Sequence, residues 1–99
     1  MNQLDPHHFH RLRAEFTRAF DMCRTQLSAD AIRDVEHWLQ HDELELAFES
    51  LGLSLRGESV IVSKEVKSIL FPIGVLLGLD RESVLSATFW SDVSPLLKP

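Results

Sequence analysis

The stretch Phe9-His10-Arg11-Leu12-Arg13-Ala14-Glu15-Phe16-Thr17-Arg18-Ala19-Phe20-Asp21-Met22-Cys23-Arg24-Thr25-Gln26-Leu27 decides the fold class. Phe9, Leu12, Phe16, Ala19, Phe20, Cys23 and Leu27 recur at steps of three and four. At 3.6 residues per turn this lays a single apolar stripe along a helix of about six turns. Asp5-Pro6, just ahead, pairs a capping side chain with a proline at the first helical position, where the missing N–H costs nothing. Arg11, Arg18 and Arg24 fall off the stripe, so the helix has one face to bury and one to solvate.

The same periodicity continues towards the C-terminus. Ser28 reads as the cap of a second helix with Ile32, Val35, Trp38 and Leu39 inward. His41-Asp42 interrupts the pattern, and Leu44, Ala47, Phe48 and Leu51 resume it on a short third helix that Gly52 is expected to end. Leu53 to Ser59 reads as a loop with Gly57 as its turn residue. Val60-Ile61-Val62 has strand propensity but no second strand to pair with, so it is expected as an extended lead-in. Ser63 caps a fourth helix bearing Val66, Ile69, Leu70, Ile73, Leu76 and Leu77. Pro72, inside that pattern, is expected to kink the helix or split it near Leu70. Gly78 closes this helix, and Asp80 caps a fifth carrying Val84, Leu85, Thr88 and Phe89. Ser94-Pro95 and the final Pro99 mark residues 93–99 as an irregular tail. The expected fold is all-α, a compact single-domain bundle of four to five helices over residues 1–99.

Composition narrows the function classes. With 99 residues, 44% apolar and 25% charged, the chain suits one globular domain and not a disordered or collagen-like segment. Cys23 is the single cysteine, which excludes an intrachain disulfide and a multi-cysteine zinc site. No apolar run reaches the roughly 18 residues of a membrane span. Met1 to His10 lacks the apolar stretch of a signal peptide, so the expected address is cytoplasmic. The net charge of −5 is concentrated. Residues 1–27 carry a net of +1 and residues 59–99 are balanced, whereas residues 28–58 hold eight acids and two bases. Such a middle third repels nucleic acid and favours a basic partner.

Individual chemical signals are weak. His37 and His41 stand at i, i+4, which puts two rings on one helical face, but two ligands do not make a metal site. Together with His7, His8 and His10 they are read as exposed side chains, and no metal or other cofactor is expected. Cys23 sits on the apolar stripe and reads as a buried thiol, not a nucleophile. No phosphate cradle or catalytic pairing is visible, so the chain is not expected to be an enzyme. Phe89 and Trp90 are adjacent and cannot both point inward, so one of them is expected to be partly exposed.

The segment Asp34-Val35-Glu36-His37-Trp38-Leu39-Gln40-His41-Asp42-Glu43-Leu44-Glu45-Leu46-Ala47-Phe48-Glu49-Ser50-Leu51 resembles the signature region of the MafI-like immunity proteins. These are small partners of secreted bacterial toxins in polymorphic and contact-dependent growth inhibition (CdiI-type) systems. The matching parts are Asp42-Glu43, then Leu46-Ala47-Phe48-Glu49-Ser50-Leu51, then Val60-Ile61-Val62-Ser63-Lys64-Glu65 after the loop, and Leu76-Leu77-Gly78-Leu79. The resemblance spans about residues 30–80. His41 stands where the family usually has a small residue at the break, and the first helix carries no family motif. The resemblance implies a cytoplasmic protein that neutralises a cognate toxin, in several cases a ribonuclease similar to the EndoU class. Its acidic face would occlude the basic cleft of the toxin, with no direct contact to nucleic acid or membrane.

On that reading Asp34, Asp42, Glu45 and Glu49 are the leading partner-binding residues, with Asp30, Glu43, Trp38 and Trp90 behind them. Asp42, Glu45 and Glu49, at i, i+3 and i+7, are expected to share an exposed face. Glu43 and Glu49 also admit a structural role, capping a helix or pairing with Arg33 or Arg56. The alternative function is a helical adaptor that binds a protein through an apolar groove, marked by an exposed patch around Phe71-Pro72-Ile73 or Phe89-Trp90. A small enzyme would be marked by a pocket around His37 and His41.

Overall fold

The apolar stripe of the first helix closes a core built by five helices in a computed structural model, which describes residues 6–83 and 85–99. They are α1 (Pro6–Cys23), α2 (Ala29–Gln40), α3 (Leu44–Gly57), α4 (Lys64–Leu76) and α5 (Phe89–Leu97), with a 3₁₀ turn at Arg24–Gln26 after α1. No strand occurs among the described residues. The capping role read for Asp5 lies outside the described residues, as does the place read for Val84.

Helix α1 packs on α4, α2 on α3, and α5 closes against both α3 and α4. Leu12, Phe16, Ala19, Phe20 and Cys23 are buried, as their helical spacing requires. The helix stops there, short of the expected end, and Leu27 is buried from extended backbone after the 3₁₀ turn. A run of aromatic rings joins three helices through the centre: Phe16 lies 6.0 Å from Phe48, and Phe48 meets Phe89 edge-on at 6.3 Å. The Cα radius of gyration is 12.3 Å, close to the ~13 Å of a compact domain of this length.

Local signals set most of the helix ends. Ser28 Oγ accepts from the Ala31 N–H and Ser63 Oγ from the Val66 N–H, each satisfying a donor of the first turn. Three helices stop in the same way. Asp42 (φ 55°), Ser59 (φ 54°) and Gly78 (φ 80°) take the left-handed conformation just past α2, α3 and α4. The next residue's N–H then reaches back to Trp38 O, Leu55 O and Gly74 O respectively, the hydrogen bond of a Schellman motif. Between α3 and α4 the extended segment is pinned by Gln26, whose amide donates to Ile61 O and accepts from Ile61 N. Val60 is buried and Ile61 is 81% exposed.

Four expectations need correction. First, α3 does not end at Gly52 but runs to Gly57, so most of the expected loop is helix, and the residue that turns the chain is Ser59 rather than Gly57. A helix-interior glycine costs only about 1 kcal/mol, and α5 packs directly against Gly52. A Cβ there would meet Phe89 Cζ and Val93 Cγ1 at 2.9 Å. Second, of the two outcomes read for Pro72 the split near Leu70 does not occur: α4 stays one helix from Lys64 to Leu76 with Ile69, Leu70 and Ile73 buried. Third, residues 79–83 and 85–88 form turns and irregular backbone, not a helix capped by Asp80. Fourth, residues 93–99 are no irregular tail, because α5 extends to Leu97. Phe89, Val93 and Leu97 are each 0% exposed. Burying three such side chains yields about 1.5–3 kcal/mol each, which outweighs the roughly 3 kcal/mol cost of Pro95 within the helix.

Candidate functional site

The acidic middle third of the sequence becomes the α2–α3 hairpin, and its carboxylates meet different fates. Asp42 is not on the α3 face at all. It is the left-handed residue that ends α2, exposed, with Arg13 Nε 3.7 Å from its Oδ1. The same Arg13 donates to Leu39 O at 2.8 Å, closing one of the last carbonyls of α2. Glu43 precedes α3 but makes no side-chain cap, and it is exposed. Glu45 follows in the first turn of α3. Its carboxyl is pushed above the ordinary range, first by partial burial and then by the like charges of Glu43 and Glu49.

Glu49 corrects the expected exposed triad. Its side chain is 0% exposed. Ser83 Oγ donates to Glu49 Oε1 at 2.7 Å and the Leu85 N–H donates to the same oxygen at 2.8 Å. The carboxylate thus holds the α4–α5 connection onto α3 across more than thirty residues of sequence. Of the two roles read for Glu49, the structure places it in the structural one, through a serine and a backbone amide instead of an arginine. It cannot be part of an open acidic face.

The other acids sort into bridged and open. Arg18 joins Glu15 on its own helix to Glu65 on α4. Arg24 joins Asp21 to Glu36 on α2 and lies 4.4 Å over the Phe20 ring. Asp30 is paired with Arg33 one turn on. Glu58 accepts from both the N–H and Oγ of Ser28, which holds its carboxyl below the usual range and ties the end of α3 to the start of α2. Asp34, Glu43, Glu45 and Glu82 are exposed and make no ion pair among the described residues. Three of these four belong to the hairpin that the charge map singled out.

The aromatic candidates divide as well. Trp38 is half-buried, with His37 edge-on at 4.7 Å and His41 4.5 Å beyond His37. Both histidines are exposed. Phe89 is the inward member of its pair and Trp90 the half-buried one. The Trp90 indole lies against the backbone of Gly74, where a Cβ would meet Cζ3 at 2.6 Å, and against Phe71 at 5.5 Å. That placement makes Trp90 part of the α4–α5 contact. Cys23 is buried, and burial pushes its thiol up, away from the thiolate a nucleophile needs.

A concavity of about 400 Å³ takes in two of the open acids, Glu45 and Glu82, and is otherwise lined by Leu77, Gly78, Leu79, Arg81 and Ser83. The histidine pair is not part of its lining. Arg81, Glu82 and Ser83 escaped the sequence reading, because their run looks like a helix start. Nothing local ties them to Glu45, more than thirty residues earlier. Among the described residues no group of three or more His, Cys, Asp or Glu is gathered as a metal site would need. No described helix is long and apolar enough to cross a membrane. The chain matches no family model, no curated protein and no solved structure.

Proposed function

We propose that this chain is a small inhibitory protein of the immunity type. It binds the basic catalytic domain of a cognate secreted toxin, a nuclease, and blocks it by covering the cleft. The observation that carries this reading is the sorting of the carboxylates. Acids on α1 and α4 are bridged by arginines, while Asp34, Glu43, Glu45 and Glu82 stay open. Open acids without internal partners keep their field for an external cation, which speeds encounter and fixes orientation. The likeness of residues 34–51 to the MafI-like signature supports the same reading.

The binding surface under this reading is narrower than the charge map implied. It comprises Glu43 and Glu45 at the start of α3, Glu82 across the concavity and Asp34 on α2. Asp42 adds field from the corner while sharing Arg13. Asp30 is paired with Arg33, Glu49 is buried and Trp90 is packed on α4, so these three support the surface without forming it. Inhibition then needs no bond-making step: a nuclease must offer a positive cleft to its substrate, and an acidic cover competes for it.

The test is to read the neighbouring upstream reading frame for a large secreted protein with a basic C-terminal domain and to co-express the chain with that domain. Wild type should protect the host and co-purify with that domain. Glu43→Lys with Glu45→Lys should stay folded and lose protection. Failure of the wild type to bind that domain would end the reading. Capture instead through the exposed Val75, Leu76 and Leu85 would favour the helical adaptor.

A further inference from the structure

The concavity between the first turn of α3 and the α4–α5 connection has a structure of its own. Its lining has an apolar part, Leu77 and the buried Leu79. From α3 the lining takes Glu45, whose charge is already uncomfortable there: partial burial and the neighbouring Glu43 and Glu49 all disfavour its ionised form. The wall from the α4–α5 connection carries Glu82 and Ser83. This wall is not a free loop. Gly78 closes α4 with N–H bonds from itself to Val75 O and from Leu79 to Gly74 O, and Ser83 is held by the buried Glu49 carboxylate. Both ends of the wall are thus fixed to the core before any partner arrives, which lowers the ordering cost of binding.

We propose that this concavity is an anchor pocket for one arginine side chain of the protein partner. The aliphatic stem lies on Leu77 and Leu79, and the guanidinium meets the carboxylates of Glu45 and Glu82. The proposal rests on the inhibitor reading for the source of the arginine and deepens it by naming the contact. Charge complementarity selects the occupant: two residues with open carboxylates, Glu45 and Glu82, line a volume of about 400 Å³, ample for a single side chain. The one cation of the lining, Arg81, stands 4.0 Å from Asp80 and reaches along Gly78. It repels the incoming guanidinium and so opposes binding. A planar guanidinium suits two carboxylates better than an ammonium does, because its fork donates in two directions.

The test uses the isolated, folded chain and no toxin. The ¹⁵N-labelled protein is titrated with N-acetyl-arginine methylamide, and with the uncharged, near-isosteric N-acetyl-citrulline methylamide as control. The arginine probe should give saturable shifts centred on the amides of Glu45, Gly78 and Ser83, and the citrulline probe none. Glu45→Gln should weaken the arginine probe by about tenfold, the loss of one charge-assisted contact. Arg81→Gln should tighten it. Absence of saturation, equal response to citrulline, or no effect of either variant would overturn the pocket. Because no toxin enters the titration, a positive result beside a failed co-purification would sink the inhibitor reading and leave the pocket standing.

Discussion

The two ends of one polar strip on α3 carry the same residue type and do opposite work. Glu45 and Glu49 are one turn apart, so helical geometry puts them on the same side. Around Glu45 the strip is open, bordered by a concavity and by other acids. Around Glu49 the strip is roofed by the α4–α5 connection, and the carboxylate is fully buried under Ser83 and Leu85. Helix phase assigns a side of the helix, whereas burial depends on what the rest of the chain lays over that side. An acid that looks like surface charge is then free to become the fastening point for a segment with no regular structure of its own.

The sharpest way to break this comparison is to treat both acids alike. Glu49→Lys should cost about 3–5 kcal/mol, because it buries an unpaired charge and strips the donors at Ser83 and Leu85 of their acceptor. Glu45→Lys should stay within about 0.5 kcal/mol of wild type, as exposed substitutions do. Urea melts of the two variants decide this, and equal losses would refute the division of the strip. The roof can be attacked from its far end. Gly74→Ala would drive a methyl into the Trp90 ring, and overpacking of this kind costs about 1–3 kcal/mol. The same melts should show the loss, and Trp90 fluorescence should change with it.

Titration separates the ends further. A Glu whose folded pKa lies above its unfolded value costs stability while ionised, and the cost disappears as pH falls through the folded pKa. Glu45 is in that position. Glu45→Gln should therefore be slightly stabilising at pH 7, an advantage that shrinks towards about pH 4. Glu58 has the opposite sign, since its carboxyl is held down by Ser28. Its contribution is present above the unfolded pKa and fades as pH falls through the folded one, so Glu58→Gln should be mildly destabilising at neutral pH and neutral in acid. Paired melts at the two pH values check both signs. The smallest effect belongs to His37 and His41. Both are exposed, and changing them to Ala should alter stability by less than about 0.5 kcal/mol.

What the sequence made legible was local. The stripe from Leu12 to Cys23, the serine caps at Ser28 and Ser63 and the stop at Gly78 depend on neighbours within a turn or two, and all stand in the structure. Gly52 misled because a glycine inside a helix and a glycine ending one look alike until the approaching helix is known. Val93 and Leu97 continue the step of four from Phe89, but Pro95 between them read as a break and hid the last helix. Once α5 was hidden, nothing placed a connection over α3. Glu49 therefore stayed on the surface in the reading, and the concavity beside Glu45 had no second wall. The acidity of the hairpin was visible, but which acids remain open depended on arginines of α1, such as Arg13 and Arg24, arriving from elsewhere in the fold.

The central claim is that the open end of the α3 strip meets a basic partner while the roofed end holds the fold. The most direct measurement is the affinity of the basic domain used in the co-expression test for wild type and for the Glu43→Lys, Glu45→Lys variant, with the melting temperature of both recorded. The account requires a variant that melts within a few degrees of wild type and binds at least about 100-fold more weakly, the scale of one or two lost interfacial charge pairs. A variant that folds equally well and binds with wild-type affinity would contradict it.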